Sequence, residues 1–85
     1  ALRQGGAAPA VLNGGNEAVV EAFLDEELRF IHIASYLQRL MSLFGRWRQK
    51  PECPNYLQYI NSVDDALAAD RWGRSKLRQL LETTS

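Results

Sequence analysis

The residues with the clearest capacity for chemistry lie around the single histidine of the chain. His32 follows the acidic run Asp25-Glu26-Glu27, and an imidazole beside carboxylates can bind a divalent metal ion. Two metal ligands on one helix share a face only when three or four residues separate them, and no Glu-x-x-His pattern occurs. We therefore interpret His32 as a capping or interface residue near a helix start, and we predict no metal site.

Other catalytic patterns are also missing from the sequence. One histidine and one cysteine, Cys53, give no recognisable pair of nucleophile and base. The pairs Gly5-Gly6 and Gly14-Gly15 lack the spaced glycines of a nucleotide-binding loop, and no predicted strand precedes either pair. The sequence thus predicts no catalytic residue and no cofactor-binding residue in this chain.

A basic aromatic segment, Arg46-Trp47-Arg48-Gln49-Lys50, allows two interpretations. Cations around an aromatic ring suit single-stranded nucleic acid or an anionic surface. Cations also complement the dipole at a helix C-terminus, where a tryptophan packs on its neighbours. We favour the second interpretation, because ten basic and ten acidic side chains give zero net charge. The alternatives are a nucleic-acid binder and a stand-alone interaction module anchored on Trp47, Trp72 and the tyrosines.

Size and composition indicate one small globular domain. The chain has 85 residues, of which 46% are hydrophobic and 24% are charged. No apolar run approaches the roughly 20 residues that span a bilayer, so no membrane-spanning segment is predicted, and the zero net charge argues against binding to a membrane surface. Its one cysteine excludes an internal disulfide.

Apolar residues at helical spacing predict an all-α fold, a small bundle of three main helices. The first helix is predicted from about Ala8 to Leu24 and the second from about Ile31 to Phe44, with Gly45 or a frayed turn ending it. In the region from Val63 to Leu81 the apolar stripe changes phase. This change predicts a short helix, a bend and a longer helix, with Asp70 as a cap.

The predicted domain covers residues 8–82, between a leading segment 1–7 and a tail 83–85. The leading segment is interpreted as a tail or as the end of a truncated helix that would complete the bundle. In the irregular stretch between Pro51 and Asn61, one buried helical turn is expected at Tyr56, Leu57 and Ile60. Ser62 with Asp65 resembles an N-cap and its acidic partner.

Expected core faces follow from the same spacing. The face of the first helix is predicted to contain Val11, Leu12, Ala18, Val19, Ala22 and Phe23. In the last region, one stripe is predicted at Val63, Ala66 and Leu67, and the other at Trp72, Leu77, Leu80 and Leu81.

The first helix contains residues that local stability would not select. Each interior glycine costs about 1 kcal/mol relative to alanine, yet Gly14 and Gly15 are adjacent there. A different boundary would make these glycines a loop and Asn16 the N-cap of a shorter helix. Asn13 and Asn16 would share a helix face, with Glu17 near it.

Several strings in this sequence resemble the C-terminal domain of the 1-deoxy-D-xylulose 5-phosphate reductoisomerase family. The stretch from Gly6 to Leu24 has a glycine-led, alanine-rich opening, an Asn-x-x-Asn-Glu core and an Ala-Phe-Leu ending. Arg29-Phe30 followed by Ile33 resembles the Arg-Phe-x-x-Ile pattern with which the family's next helix starts. Val63-Asp64-Asp65-Ala66-Leu67 followed by Asp70-Arg71-Trp72 resembles the closing pattern.

The sequence also departs from this family. Gly14 and Gly15 replace the usual alanines, which is expected to weaken the helix and loosen its packing, and Gly73 likewise replaces an alanine. The segment from about Ser42 to Asn61 is longer than the usual link, so nothing is carried over to it.

The resemblance implies an NADPH-dependent reductoisomerase that also requires a divalent cation, Mg²⁺ or Mn²⁺. Such an enzyme converts 1-deoxy-D-xylulose 5-phosphate to 2-C-methyl-D-erythritol 4-phosphate in non-mevalonate isoprenoid synthesis. The resemblance places the cofactor, metal and substrate ligands in preceding N-terminal and central domains, and it makes the C-terminal bundle a support packed on the central domain. It also implies a homodimer in a bacterial cytoplasm or a plastid, without nucleic acid or membrane.

Within such a bundle, the polar residues of the first helix are expected to support the catalytic part of the enzyme. We expect Asn13, Asn16 and Glu17 to hydrogen-bond backbone groups of the central domain or of neighbouring helices, because buried polar groups need partners. The alternative is a polar face that water covers.

Overall fold

Four α-helices and one 3₁₀ turn form the part of the chain that the computed structural model describes, residues 7–58 and 60–84. Within it there is no β-strand, and the all-α prediction is confirmed. Residues 1–6, on which the prediction of a truncated helix mainly depends, lie outside the described residues. The elements are α1 (Ala7–Leu24), the 3₁₀ turn (Phe30–His32), α2 (Ile33–Trp47), α3 (Asn55–Gln58) and α4 (Val63–Thr84).

Helix α1 is continuous through both glycines, so the alternative boundary with Asn16 as N-cap is wrong. Its end is a Schellman motif. The N–H of Glu27 donates to the carbonyl of Ala22 (2.8 Å), and the N–H of Glu26 donates to that of Phe23 (3.1 Å). Glu26 has a φ of 63°, the left-handed conformation that this motif requires. The acidic run is therefore a defined turn.

Helix α2 begins and ends later than predicted. A 3₁₀ turn occupies Phe30–His32, and the helix runs from Ile33 to Trp47. Gly45 does not end it, because the buried stripe of Leu40 and Phe44 continues three residues later to the half-buried Trp47. The observed end at Trp47 lies between the two predicted ones, since the other interpretation let the helix fray as far as Pro51.

The connection between α2 and α4 contains the buried turn that the sequence predicts. Leu57, in α3, is fully buried, and Ile60 is 2% exposed. At the start of α4 the N–H of Asp65 donates to Ser62 Oγ (3.1 Å), and Asp65 accepts from the N–H of Asn61 (3.0 Å). The predicted cap is confirmed.

Helix α4 is one uninterrupted helix, so the prediction of two segments with Asp70 as a cap is wrong. Val63 and Leu67, which suggested the phase change, are exposed. The buried stripe instead passes through small residues, including Ala69 and Gly73, and then reaches Leu77. A stripe of small residues has little hydropathy, and for that reason the sequence pattern appeared to break.

The three long helices form the core. Contacts between α1 and α4 are the most extensive, and their paired residues advance together along both helices, so the two run in the same direction. Helix α2 runs the opposite way, since its start lies near the end of α4 and its Phe44 packs edge-on against Trp72 (5.9 Å between centroids). The largest fully buried side chains are those of Val11, Val19, Leu40, Leu57 and Leu77.

Candidate functional site

The two longest helices meet at a contact between their backbones. A Cβ atom added at Gly14 would overlap the carbonyl oxygen of Asp70 and lie 3.0 Å from the amide nitrogen of Arg74. A Cβ added at Gly73 would overlap the carbonyl oxygen of Val11. Real Cβ atoms do not approach backbone so closely, so only glycine permits this separation at either position. We call this contact, with the polar side chains beside it, the α1–α4 seam.

Gly15 serves a different contact, because it faces α2. A Cβ added there would overlap a methyl group of Leu40 and lie 3.3 Å from a methyl group of Leu77. The expectation that Gly14 and Gly15 loosen the packing is therefore wrong. Each glycine weakens the isolated helix, but each lets α1 approach a neighbour closely, and this accounts for the glycines inside a helix.

Polar side chains join the helices beside the glycines. Asn13 Nδ2 donates to Asp70 Oδ2 (2.6 Å), and Arg74 donates to Glu17 (2.6 Å) and to Glu21 (3.1 Å). Asn13 and Glu17 are four residues apart, as are Asp70 and Arg74. This matched spacing lets two parallel helices make two consecutive bonds.

The guanidinium of Arg74 is the electrostatic centre of the seam. Its hydrogen bond to Glu17 raises the pKa of Arg74 above the ordinary arginine value, against the opposing effect of partial desolvation. The charges of Glu21, Glu17 and Asp70 raise this pKa as well. Arg74 therefore stays charged at any physiological pH. Because the ion pairs are roughly half exposed, solvent and salt screen them.

The structure separates the three predicted support residues. Asn13 and Glu17 contact α4 of the same domain through Asp70 and Arg74, two residues that the sequence reasoning did not assign to this role. The sequence did contain a signal for these contacts, since both helices carry complementary polar residues four positions apart. Asn16 is exposed, and its side chain makes no hydrogen bond to another residue in the described part of the chain.

The remaining candidates for chemistry stay apart. His32 is exposed at the N-cap position of α2, and its side chain makes no capping hydrogen bond. Among residues 7–58 and 60–84, no three His, Cys, Asp or Glu side chains are grouped so that they could hold a metal ion. Cys53 is buried, with its Sγ 3.6 Å from the carbonyl oxygen of Pro54. None of the described helices is long and apolar enough to cross a membrane.

The basic aromatic segment is packed against its own domain. Lys50 Nζ lies 5.8 Å from the centre of the Trp47 ring, over its face. The guanidinium carbon of Arg48 lies 5.4 Å from the centre of the Phe44 ring, also over its face. Trp47 and Trp72 are both half-buried beside the core. These contacts favour the structural interpretation of the segment. Among the tyrosines, Tyr36 and Tyr56 are half-buried, and Tyr59 lies outside the described residues.

Comparisons with known proteins show which family the sequence belongs to. Residues 1–76 match the family model described as the DXP reductoisomerase C-terminal domain. The 1-deoxy-D-xylulose 5-phosphate reductoisomerase of Nocardia farcinica is 40% identical over 77 residues, which are 91% of this chain and 17% of that protein. That of Nostoc sp. is 43% identical over 75 residues, 88% of this chain and 16% of that protein. No solved structure matches the chain.

The matched part of each relative is small. A third relative, the reductoisomerase of Trichlorobacter lovleyi, is 35% identical over 83 residues, which are 98% of this chain and 18% of that protein. The chain thus spans less than a fifth of the length of the curated relatives it matches. The chain belongs to the family of DXP reductoisomerase C-terminal domains.

Proposed function

We propose that this chain is the C-terminal helical domain of an enzyme that converts 1-deoxy-D-xylulose 5-phosphate to 2-C-methyl-D-erythritol 4-phosphate. The observation that carries the proposal is the family match over residues 1–76, together with relatives that are named as reductoisomerases. The reaction would use NADPH and a divalent cation, as the resemblance implies. A homodimeric enzyme and a cytoplasmic location belong to the same proposal and rest on the same resemblance.

In this proposal the domain is a structural support and contributes no catalytic residue. A divalent cation needs several oxygen or nitrogen ligands converging on one point, and the described residues provide no such group. They do not fit the cation, so we assign its ligands, with those for NADPH and substrate, to the preceding domains. No step of the reaction is assigned to a residue of this chain.

The seam supplies the stiffness that a support needs. Backbone contact at Gly14 and Gly73 fixes the distance between α1 and α4, and the bonds of Asn13 and Arg74 fix their register. Helices in such close contact move as one body, since packed interiors deform little. A rigid pair of helices can hold an adjoining domain in one position.

Asn13, Asn16 and Glu17 would contribute to support by two routes. Asn13 and Glu17 would act inside the domain, by joining α1 to α4. Asn16, whose amide faces outward, would bond a backbone group of the preceding domain. In the full-length enzyme, Asn16→Ala is expected to lower both stability and turnover, whereas unchanged values of both would remove Asn16 from this role. Asn13→Ala is the contrasting variant, because it should destabilise the isolated 85-residue chain.

A direct test uses the complete polypeptide encoded by the gene that contains this sequence. Purified protein is mixed with 1-deoxy-D-xylulose 5-phosphate, NADPH and Mg²⁺ or Mn²⁺, and oxidation of NADPH is followed by absorbance. We expect turnover by the complete polypeptide and none by the 85-residue chain. A complete polypeptide that folds, binds NADPH and yet does not consume this substrate would refute the proposal. Turnover by the 85-residue chain would refute the assignment of this domain as a support.

A further inference from the structure

The exposed surface of α1 carries apolar side chains along the edge beside its buried stripe, around the polar Asn16. Leu12, Val20 and Phe23 lie there at helical spacing and are 39–42% exposed. At the end of the helix the surface continues to Leu24, Phe30 and Ile31, which are 70–72% exposed. We call these six residues the outer face. Its total apolar area is roughly 500–600 Å², the upper end of what an ordinary monomer exposes in one patch.

The turn after α1 holds the two parts of the outer face together. The Schellman motif and the left-handed Glu26 reverse the chain so that the Phe30 ring packs edge-on against the Phe23 ring, 5.8 Å between centroids. Two aromatic rings are thereby kept at the surface in a fixed arrangement. Hydrophobic burial inside this domain does not explain it, because Phe30 stays mostly exposed. A partner that covers the rings would explain it.

We propose that the outer face is the surface on which the preceding part of the same polypeptide docks, an inference that rests on the proposed function. In the relatives, the matched region is less than a fifth of the protein and belongs to a C-terminal domain. The rest of such a chain joins at the start of α1, along which the outer face runs. Covalent attachment keeps that larger body at high effective concentration beside the face.

Charges define the chemistry of the docked surface. The exposed carboxylates of Asp25 and Glu26 border the outer face at the turn after α1, whereas Glu27 already forms an ion pair with Arg78 of α4 (3.6 Å). A complementary surface therefore has an apolar centre and lysine or arginine side chains at one edge. Asn16, between Leu12 and Val20 on the same side of α1, offers an amide that can bond a backbone group across the contact.

A second copy of this chain fits the outer face less well. A two-fold axis that runs along α1 would bring the acidic runs of the two copies together, and like charges oppose such a contact. The pair would bury roughly 1,000–1,200 Å² in total, which is at the low end for a stable protein interface. Neither the repulsion between like charges nor the limited contact area applies to the preceding domain.

Cysteine labelling tests the docking directly. Ile31→Cys places a thiol at the centre of the exposed corner, and Ser75→Cys is a near-isosteric control at an exposed position of α4. Both variants retain the buried Cys53 as an internal reference. Maleimide labelling rates are measured in the 85-residue chain and in the complete polypeptide.

We expect labelling of Ile31→Cys to be at least tenfold slower in the complete polypeptide than in the 85-residue chain, with less than a twofold change for Ser75→Cys. Equal rates for Ile31→Cys in both proteins would overturn the proposal. Equal slowing at both positions would also overturn it, because the coverage would not be specific to the outer face. Protection that appears in the 85-residue chain and increases with its concentration would make a second copy the occupant.

Two further measurements keep the result interpretable. Phe30→Cys repeats the experiment at the neighbouring position, and circular dichroism melting verifies that each variant folds. NADPH oxidation by the complete polypeptide is measured separately. Turnover without protection of Ile31→Cys would refute the docking surface and leave the proposed function standing. Protection without turnover would leave the docking surface standing and refute the proposed reaction.

Discussion

Replacing Gly73 by alanine should destabilise the domain, although alanine is the better helix former. In an exposed helix this change would gain about 1 kcal/mol. Here the new Cβ would overlap the carbonyl oxygen of Val11. That oxygen belongs to the backbone of another helix, so no side-chain rotation relieves the contact, and α1 and α4 must separate.

The size of the stability change in Gly73→Ala follows from two opposing contributions. Overpacking a well-packed site costs about 1–3 kcal/mol, and a backbone clash belongs in the upper part of that range. After the gain in helix propensity is subtracted, we expect a net loss of about 1–2 kcal/mol. For a domain of this size, each 1 kcal/mol lowers Tm by about 4–8 °C. The seam bonds of Asn13 and Arg74 should lengthen as the helices separate.

The matched control is Gly45→Ala in α2. Within the described structure, a Cβ at Gly45 meets no atom within 4 Å, so this variant should gain up to about 1 kcal/mol. Both variants remove the same backbone freedom from the unfolded chain, which therefore cancels in the comparison. Urea unfolding followed by circular dichroism measures both. If Gly73→Ala stabilises the domain as much as Gly45→Ala does, the close approach of α1 and α4 is refuted.

Three other predictions concern the ends of helices and the seam. Glu26→Gly should stabilise the domain by about 0.5–1 kcal/mol in urea unfolding, because glycine adopts a φ of 63° without strain, while Asp25→Gly should not. Ser62→Ala removes the cap of α4 and should cost about 1 kcal/mol in the same assay; no loss would mean that the bond to Asp65 does not stabilise α4. Arg74→Gln should lower Tm at low ionic strength, and the difference from the unaltered chain should shrink as NaCl is raised. A salt-independent difference would assign the effect of Arg74 to packing.

The sequence predicted the positions of the helices better than their contacts. Helix α1, the buried turn at Leu57 and the cap at Ser62 were found because periodicity and capping chemistry are local properties. The continuity of α4 was missed for a physical reason. Its buried stripe uses Ala69 and Gly73, whose small side chains contribute close approach rather than hydrophobicity, and hydropathy does not register close approach.

The contacts of the glycines in α1 were also not predictable from local sequence. Gly14 and Gly15 are unfavourable within a single helix, and their value depends on backbone and side chains about 25–60 residues away in sequence. A local rule can show that something other than helix propensity placed them there. It cannot identify Asp70 or Leu40 as the neighbour. The polar bonds of the seam were partly foreseeable, since Asn13 and Glu17 were recognised, but their partners on α4 required the relative direction of the two helices.

The error on Leu12 and Phe23 is informative in its own right. Both were predicted in the core because they continue the apolar pattern of α1, yet the structure leaves each about two-fifths exposed. A helix that needs only one partner has an apolar stripe on one side and polar residues on the other. Helix α1 has a complete buried side, which includes Val11 and Val19, and further apolar residues on the edge next to it, where Leu12 and Phe23 lie about 20–40° around the helix from Val19. Helices α2 and α4 leave this edge partly uncovered, and an apolar surface wider than two neighbours cover is what a third partner of α1 would require.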